Sequence, residues 1–484
     1  MRKKFASNLI LMLGLNLLIK PFWILGIDRT IQNMMGLQEY GLYYNMFNFS
    51  LMLSVFLDFG IANYTSSSIA KQPQKINEQF SVLFVVKIFF SIAYLLFTLC
   101  AALFLTGYDS HSLYLLFILG VNQAISFFII FFRSNISGLQ LFKTDSLLSV
   151  LDRGLMILFC SVLIWGGMFN LSIDTFIYAQ TCAYSTSLIL VFMVLKPHLN
   201  KLNFNMDKQL VFDVLKKTYP YALLALIMMF YTRIDNLMLE KLLPDGYYQI
   251  GIYAQSYRLL DAANMFGALI AMLLLPMFSR MIKNNDDIKP MINSGIGVLI
   301  APSIIFSFAC YFYQKEIMDL LYPNALSITS DVFGFVILCF IPISVMYVFG
   351  TLLTANSNLK ALNILALLAL LINFSLNYFL IPEYKVQGAA ISALVTQTFI
   401  AIGNAIYGYK KTNIKPDYSL WFKLILLALI LLLLGNATKL VSMNWMFEIL
   451  AYSAIGCILI FVLKLIELKR TLDFIKDKLN SYQN

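Results

Sequence analysis

Arg258 and Asp261 stand three residues apart in an otherwise apolar stretch, with Tyr257 alongside and Asn264 one turn further on. On a helix this spacing gathers them on one face. A guanidinium in such a place takes up phosphate or carboxylate oxygens through paired N–H donors. The other reading is an internal Arg258–Asp261 ion pair that only fixes helix packing. A second cation, Lys20, precedes Pro21, whose missing N–H frees a carbonyl and bends its helix. Arg233 and Asp235 are two apart and point to different faces of a third stretch, where they suit an outer gate. Asp28, Asp235 and Asp261 are acids that can carry a proton or a small cation. Asn373 and Asn377, at i and i+4, suit interhelical hydrogen bonds.

These groups matter because of what surrounds them. A charge near a bilayer centre costs at least ~2.5–3.5 kcal/mol, so each needs a partner or a watery cavity. Lys87, Asp152 and Arg153 lie near helix ends, where a long side chain snorkels to the surface. Asp58, before Gly60, suits capping or pairing with a neighbouring helix end.

About fourteen apolar runs, strung between short polar loops from Asn8 to about Ile466, hold these residues. Each is long enough to cross a hydrocarbon core of ~30 Å as a helix. The chain of 484 residues is 60% hydrophobic and 12% charged, with a mean hydropathy of +0.77. That leaves almost no room for a soluble domain and points to an all-α integral membrane protein. The opening Met1-Arg-Lys-Lys and the run Leu9–Ile27 are followed by Asp28-Arg29-Thr30 rather than a small-residue cleavage site, so the first run reads as a retained helix.

Lysine and arginine alternate between successive loops. One side holds clusters such as Lys196, Lys201, Lys208, Lys216 and Lys217, whereas the other holds only Arg29, Lys241, Lys315, Lys385 and Lys439. Basic loops stay in the cytoplasm, so both termini are expected inside and the helix count even. The net charge of +10 follows from this bias and implies no nucleic-acid partner.

An internal echo divides the chain. Asp28 is followed by Tyr40-Gly41-Leu42-Tyr43, and Asp235 by Ile250-Gly251-Ile252-Tyr253. Gly138–Lys143 and Ala355–Lys360 occupy matching turns at a similar separation. The two members of each pair fall on the same side of the membrane, as a parallel six-helix repeat requires. The expected organisation is a six-helix lobe over 1–195, a basic linker over 196–217 and a second six-helix lobe over 218–409. Two further helices and a tail occupy 410–484. Pro276, Pro302 and Pro342 interrupt later spans and provide bends.

No catalytic constellation is visible: no HExxH, GxSxG or phosphate loop, and no long outer loop of the kind a membrane glycan polymerase carries. Two histidines, His111 and His198, make no metal centre, and six cysteines inside apolar runs read as small buried hydrophobes. Transport is expected, not catalysis.

A set of segments covering most of the chain carries a family resemblance. It includes Leu37-Gln-Glu-Tyr-Gly41-Leu-Tyr, Leu57-Asp-Phe-Gly-Ile61, Arg233-Ile-Asp-Asn-Leu-Met-Leu239 and Ile250-Gly-Ile-Tyr253 with Arg258-Leu-Leu. Leu380-Ile-Pro382 and Gln387-Gly-Ala-Ala390 close it. In order and spacing these resemble Wzx-type oligosaccharide flippases of the MOP exporter superfamily. The resemblance implies two six-helix lobes around a central cavity, alternating access, and undecaprenyl-diphosphate-linked oligosaccharide as substrate for O-antigen, capsule or exopolysaccharide. It implies a bacterial inner-membrane location, a possible H+ or Na+ as coupling ion without other cofactors, and a polysaccharide polymerase as partner. Basic residues on the first and eighth helices line the cavity in such proteins, which makes Lys20 and Arg258 expected diphosphate ligands. A lysine at position 20 lacks the arginine fork. Tyr257, Asn264 and Arg233 complete the expected substrate set, and Asp28, Asp235 and Asp261 the expected ion-coupling set. A cation-coupled multidrug or metabolite antiporter of the same superfamily is the alternative, and a membrane glycan polymerase a more distant one.

Overall fold

A backbone in hydrocarbon must satisfy its own polar groups, and helices do so within one segment. The computed structural model describes residues 14–167, 170–199, 208–323, 325–438 and 444–466, and these form helices without strands. The basic start, part of the 196–217 linker and the tail beyond 466 lie outside the described residues.

Eleven helices, or twelve with one bent pair, are long and apolar enough to cross a membrane. Two of these continuous segments each merge two helices. Gly36, at φ 80°, breaks the first, a conformation that glycine adopts without a Cβ clash. Lys385, at φ 50° and ψ −131°, breaks the 54-residue segment Leu359–Thr412, which would be about 80 Å long if straight. Counting each as two passes gives fourteen among the described residues, in agreement with the apolar runs. They are α1 (14–35), α2 (37–71), α3 (Ile76–Leu105), α4 (Ser110–Gly138), α5 (Phe142–Trp165), α6 (Ile173–Leu195) and α7 (Lys208–Leu242). The rest are α8 (Gly246–Lys283), α9 (Lys289–Phe312), α10 (Ser327–Ala355), α11 (359–384), α12 (386–412), α13 (Tyr418–Thr438) and α14 (Trp445–Val462). The chain is a multi-pass membrane protein.

Two compact units emerge: Met1–Arg258 with Phe374–Val386, and Leu259–Asn373 with Gln387–Asn484. The division falls inside α8 rather than at the basic linker.

In the first unit α2 runs against α7, and α4 packs on α6 and on the inner end of α2. Asp58, at the break in α2, both caps and pairs: it accepts from the Ala62 amide at 3.3 Å and meets Lys87 at 2.7 Å. Lys87 is fully buried, with its ammonium between the Phe127 and Phe131 rings at 5.9 and 5.6 Å. It does not snorkel, because a carboxylate and two aromatic faces compensate its charge where it lies.

The second unit is built on α9. Ile292, Ile300 and Ile305 of its length form one core with Val348 of α10, Leu427 and Leu431 of α13, and Tyr452 of α14. The Tyr452 hydroxyl donates to the Leu431 carbonyl at 2.8 Å, and Asn293 donates to Asp417 at 3.0 Å before α13 begins. The two helices outside the repeat are therefore seated on α9 by both apolar and polar contacts.

The closest backbone approach positions the site. Gly41 of α2 lies against the Tyr247 carbonyl of α8, and Gly251 of α8 lies against the Leu37 carbonyl of α2. A Cβ at either glycine would collide with that carbonyl. Gly154 of α5 has nothing within 4 Å of such a Cβ. Overpacking of this kind costs about 1–3 kcal/mol. Gly41→Ala and Gly251→Ala are each expected to lower the apparent Tm in detergent, while Gly154→Ala leaves it unchanged. Equal melting of all three would remove the constraint from the crossing.

The turns beside this crossing carry a weaker tie. Lys385 reaches Asp245 at 3.5 Å, and Gln249 donates to the same carboxylate at 2.7 Å. The Gln249 hydrogen bond foremost, and the Lys385 charge, hold the Asp245 carboxyl below its usual range. A depressed folded pKa stabilises above the unfolded value, about 3.9, and that gain is lost as pH falls through the folded value. The group is largely exposed, so the gain is below about 1 kcal/mol. Asp245→Asn should lower the apparent Tm slightly at pH 7, with the difference from the parent shrinking as the pH drops below about 4. A difference that grows on acidification would contradict this.

Candidate substrate- and ion-binding site

Pro21 opens the relevant stretch of α1. Residues Trp23–Asp28 follow as a wide π-helical turn, a distortion that re-aims side chains and is frequent at functional sites. Asp28 leaves this turn pointing at α8. Its Oδ2 lies 2.7 Å from Arg258 Nε, with side-chain exposures of only 4% and 13%. Arg258 therefore has a carboxylate partner on another helix, 230 residues earlier in the chain.

Hydroxyl and amide donors complete the pair. The Tyr40 hydroxyl donates to both Asp28 oxygens, at 2.9 and 3.1 Å, and Gln32 donates to Oδ2 at 3.0 Å. Arg258 also donates an Nη hydrogen to the Tyr40 hydroxyl. Its guanidinium carbon sits 5.1 Å from the Tyr44 ring and 5.8 Å from that of Tyr40, inside cation–π range. The result is a desolvated, near-neutral cluster that holds one guanidinium in a fixed orientation. Each donor spent on Asp28 and Tyr40 limits the directions in which a planar fork can meet a second anion.

A second cluster surrounds Asp235 of α7, which is 1% exposed. The Tyr253 hydroxyl donates to one oxygen at 2.8 Å and the Asn377 amide to the other at 2.7 Å. These partners are a phenol and a carboxamide, neutral groups from α8 and α11. Arg233, two residues earlier, turns to α2 and donates to Asn48 at 2.8 Å. Tyr257 packs its ring on Tyr253 with centroids 5.0 Å apart.

Lys20 lies half-buried on α1, within the fields of Arg153, Asp152 and Arg133. Asp152 and Arg153 pair at 3.7 Å. Asp261 and Asn264 fall on the part of α8 that belongs to the second unit. There Asp261 acts on Tyr347, and the Asn264 carbonyl accepts from the Tyr347 hydroxyl at 3.1 Å. The Asn264 side-chain oxygen is buried and has no hydrogen bond among the described residues. The structure thus gathers Asp28 with Arg258, and Asp235 with Tyr253 and, beside it, Tyr257. It sends Arg233 to Asn48.

Several polar groups escape sequence reading. Gln180 of α6 donates to the Tyr43 hydroxyl at 2.8 Å. Glu240, near the end of α7, takes the Asn45 amide of α2. Neither has a local motif; the only signal is a polar residue inside an apolar run. No group of three or more histidine, cysteine or acidic residues fit to hold a metal occurs among the described residues.

The Asp28–Arg258 pair makes a direct prediction. Removing one member of a buried pair leaves an uncompensated charge and costs about 3–5 kcal/mol, whereas replacing both is far milder. Asp28→Asn and Arg258→Gln should each depress the apparent Tm in detergent, and the double variant should melt above the sum of the two losses. Strict additivity would mean that the two side chains do not interact.

Comparison with known proteins adds family to geometry. Residues 8–282 match the family model for polysaccharide biosynthesis proteins, and residues 155–458 match that for the lipid II flippase MurJ. The capsular polysaccharide biosynthesis protein CapF of Staphylococcus aureus is 23% identical over 253 residues, covering 50% of this chain. The matched part spans 61% of that relative's length. Among solved structures, an inward closed conformation of MurJ aligns with a TM-score of 0.71 at 16% identity, over 93% of this chain and 97% of that one. An inward-facing multidrug resistance MATE transporter of the MOP superfamily aligns at 0.63 and 14% identity, over 84% and 98%. At such identities these structures establish the fold, and the family models establish kinship: the chain belongs to the polysaccharide biosynthesis protein family, and its later part matches the MurJ family model.

Proposed function

We propose that the chain translocates undecaprenyl-diphosphate-linked oligosaccharide repeat units across the bacterial inner membrane by alternating access, with both termini in the cytoplasm. The observation that carries this reading is a guanidinium, Arg258, held inside the membrane by Asp28, Tyr40 and Tyr44. A diphosphate cannot enter hydrocarbon with its charge uncompensated. A preset guanidinium offers it charge and directed N–H groups at once. Lys20, on the same helix as Asp28, supplies a second, mobile ammonium for the same anion. The family, with its polysaccharide-biosynthesis and MurJ models, supports a lipid-linked saccharide as cargo. The excess of Lys and Arg on alternate loops supports the orientation. A polysaccharide polymerase is the partner that would receive the cargo on the outer face.

Ion coupling is assigned to Asp235. At Asp235 a phenol and an amide donate to the carboxylate, groups that can share it with H+ or Na+.

The test follows leaflet location of radiolabelled undecaprenyl-diphosphate-sugar in inverted vesicles. Wild type should translocate it, and Arg258→Ala and Lys20→Ala should insert normally and lose most of the rate. Asp235→Asn should keep lipid binding while losing dependence on the ion gradient. Translocation at the wild-type rate in both cation variants would remove Arg258 and Lys20 from the site. Wild type that moves no lipid-linked sugar but exports a small cation would establish the antiporter reading, which the MATE-like fold also accommodates.

A further inference from the structure

Glu240 is a carboxylate the site above does not use. It lies one turn from the end of α7, and three elements converge on it. Asn45 of α2 donates its amide to Oε2. The backbone N–H of Gly107, in the turn between α3 and α4, donates to Oε1 at 3.2 Å, and the Tyr247 hydroxyl of α8 reaches the same oxygen at 3.4 Å. Asn45 also donates to the Tyr108 hydroxyl at 2.9 Å, which draws the α3–α4 turn further into the cluster. Every one of these groups belongs to the first unit.

The surroundings concentrate this contact. Asn45 is one helical turn from Gly41, and Tyr247 one turn from Gly251, so the cluster abuts the backbone crossing of α2 and α8. Tyr247 serves both: its carbonyl lies on Gly41 and its hydroxyl on Glu240. The charged and titratable groups that face Glu240 are Lys241 on its own helix, Tyr108 and Tyr247, with Asp109 acting on Tyr247. Burial and the neighbouring Glu240 charge push the Tyr108 phenol well above its usual range, so it stays protonated. The carboxylate is the member of this cluster that changes state with pH.

We propose that Glu240 is a proton-operated latch. As a carboxylate it ties α7 to α2, α8 and the α3–α4 turn; as a carboxylic acid it lets them part. The chemistry is set by donor count. An ionised carboxylate only accepts, and here three donors point at its two oxygens. A proton on Oε2 faces the Asn45 amide hydrogens, and one on Oε1 faces the Gly107 N–H, which has no way to turn. Of the three partners, the Tyr247 hydroxyl can reverse its role by rotation. Protonation therefore strips the charge from every one of these hydrogen bonds, and a proton aimed at the Asn45 amide hydrogens or the Gly107 N–H sets donor against donor. In the reading of an alternating-access flippase, on which its role in transport rests, the latch holds these helix ends together on the loop side poor in Lys and Arg, the outer face, and acid there favours their separation.

The experiment is amide hydrogen exchange of the full chain in nanodiscs, without substrate. Peptides covering 105–110 should exchange at least tenfold faster in Glu240→Gln than in wild type at pH 7.5, because the variant keeps the shape and loses the charge. Wild type should approach the variant, after correction for intrinsic chemistry, as the pH is lowered. Asn45→Ala should speed the same peptides without abolishing their pH dependence. Peptides from α13 and α14 should be unchanged in all variants, which shows the fold intact. Identical exchange at 105–110 in wild type and Glu240→Gln would overturn the latch, as would a wild-type profile that does not change with pH. Because no cargo is present, failure of the lipid-linked substrate reading shows only in the vesicle assay and leaves this result standing.

Discussion

A charge inside hydrocarbon must be compensated where it stands, and this requirement organises the first unit. Arg258 is met by Asp28, itself braced by Gln32, and by two tyrosines; Lys87 is met by Asp58 and two phenylalanine faces. Both solutions recruit partners from separate helices, so the cost of burying each charge becomes a tie between elements that apolar packing alone would leave free to slide. In lipid the hydrophobic effect does little to bring one helix to another, and such polar ties take a larger share of the task. The same clusters that make the fold specific also make the site.

The crossing of α2 and α8 is reciprocal at atomic scale. Gly41 receives the carbonyl four residues before Gly251, and Gly251 receives the carbonyl four residues before Gly41. A reciprocal contact, residue i to j and j to i, is what a two-fold axis imposes on an interface. Here the axis relates two parts of one chain. The two sites built around it are not copies. One half carries a carboxylate locked to a guanidinium, the other a carboxylate between a phenol and an amide. The backbone contact is reciprocal, whereas the side chains around it differ in charge.

Much of the fold was legible because membrane insertion is read from composition: long apolar runs give the fourteen helices. What periodicity cannot give is adjacency. Arg258 and Asp261 share a face by spacing, which shows nothing of the carboxylate that reaches Arg258 from α1, where Asp28 ends the π-turn after Pro21. Lys87 near a helix end reads as a snorkelling side chain until the position of Asp58 is known. Glu240 carries no sequence signal of its own, because its three partners come from three other segments. In each case the missing information is which helices are neighbours, a property of the packing rather than of any one run.

Helix α2 then explains why these clusters act together. Within about two turns it carries Tyr40 on the Asp28–Arg258 pair, Gly41 at the backbone crossing, Tyr44 under the guanidinium, Asn45 on Glu240 and Asn48 on Arg233. A rigid helix cannot shift one of these without shifting all. Any movement of α2 that parts Asn45 from Glu240 also re-aims Tyr40 and Tyr44 against Arg258, since the five share one rod and the glycine crossing fixes the point about which it can turn. Release at the Glu240 end and reorientation of the guanidinium are then two readings of a single rotation, with no chain of intermediate contacts required to connect them.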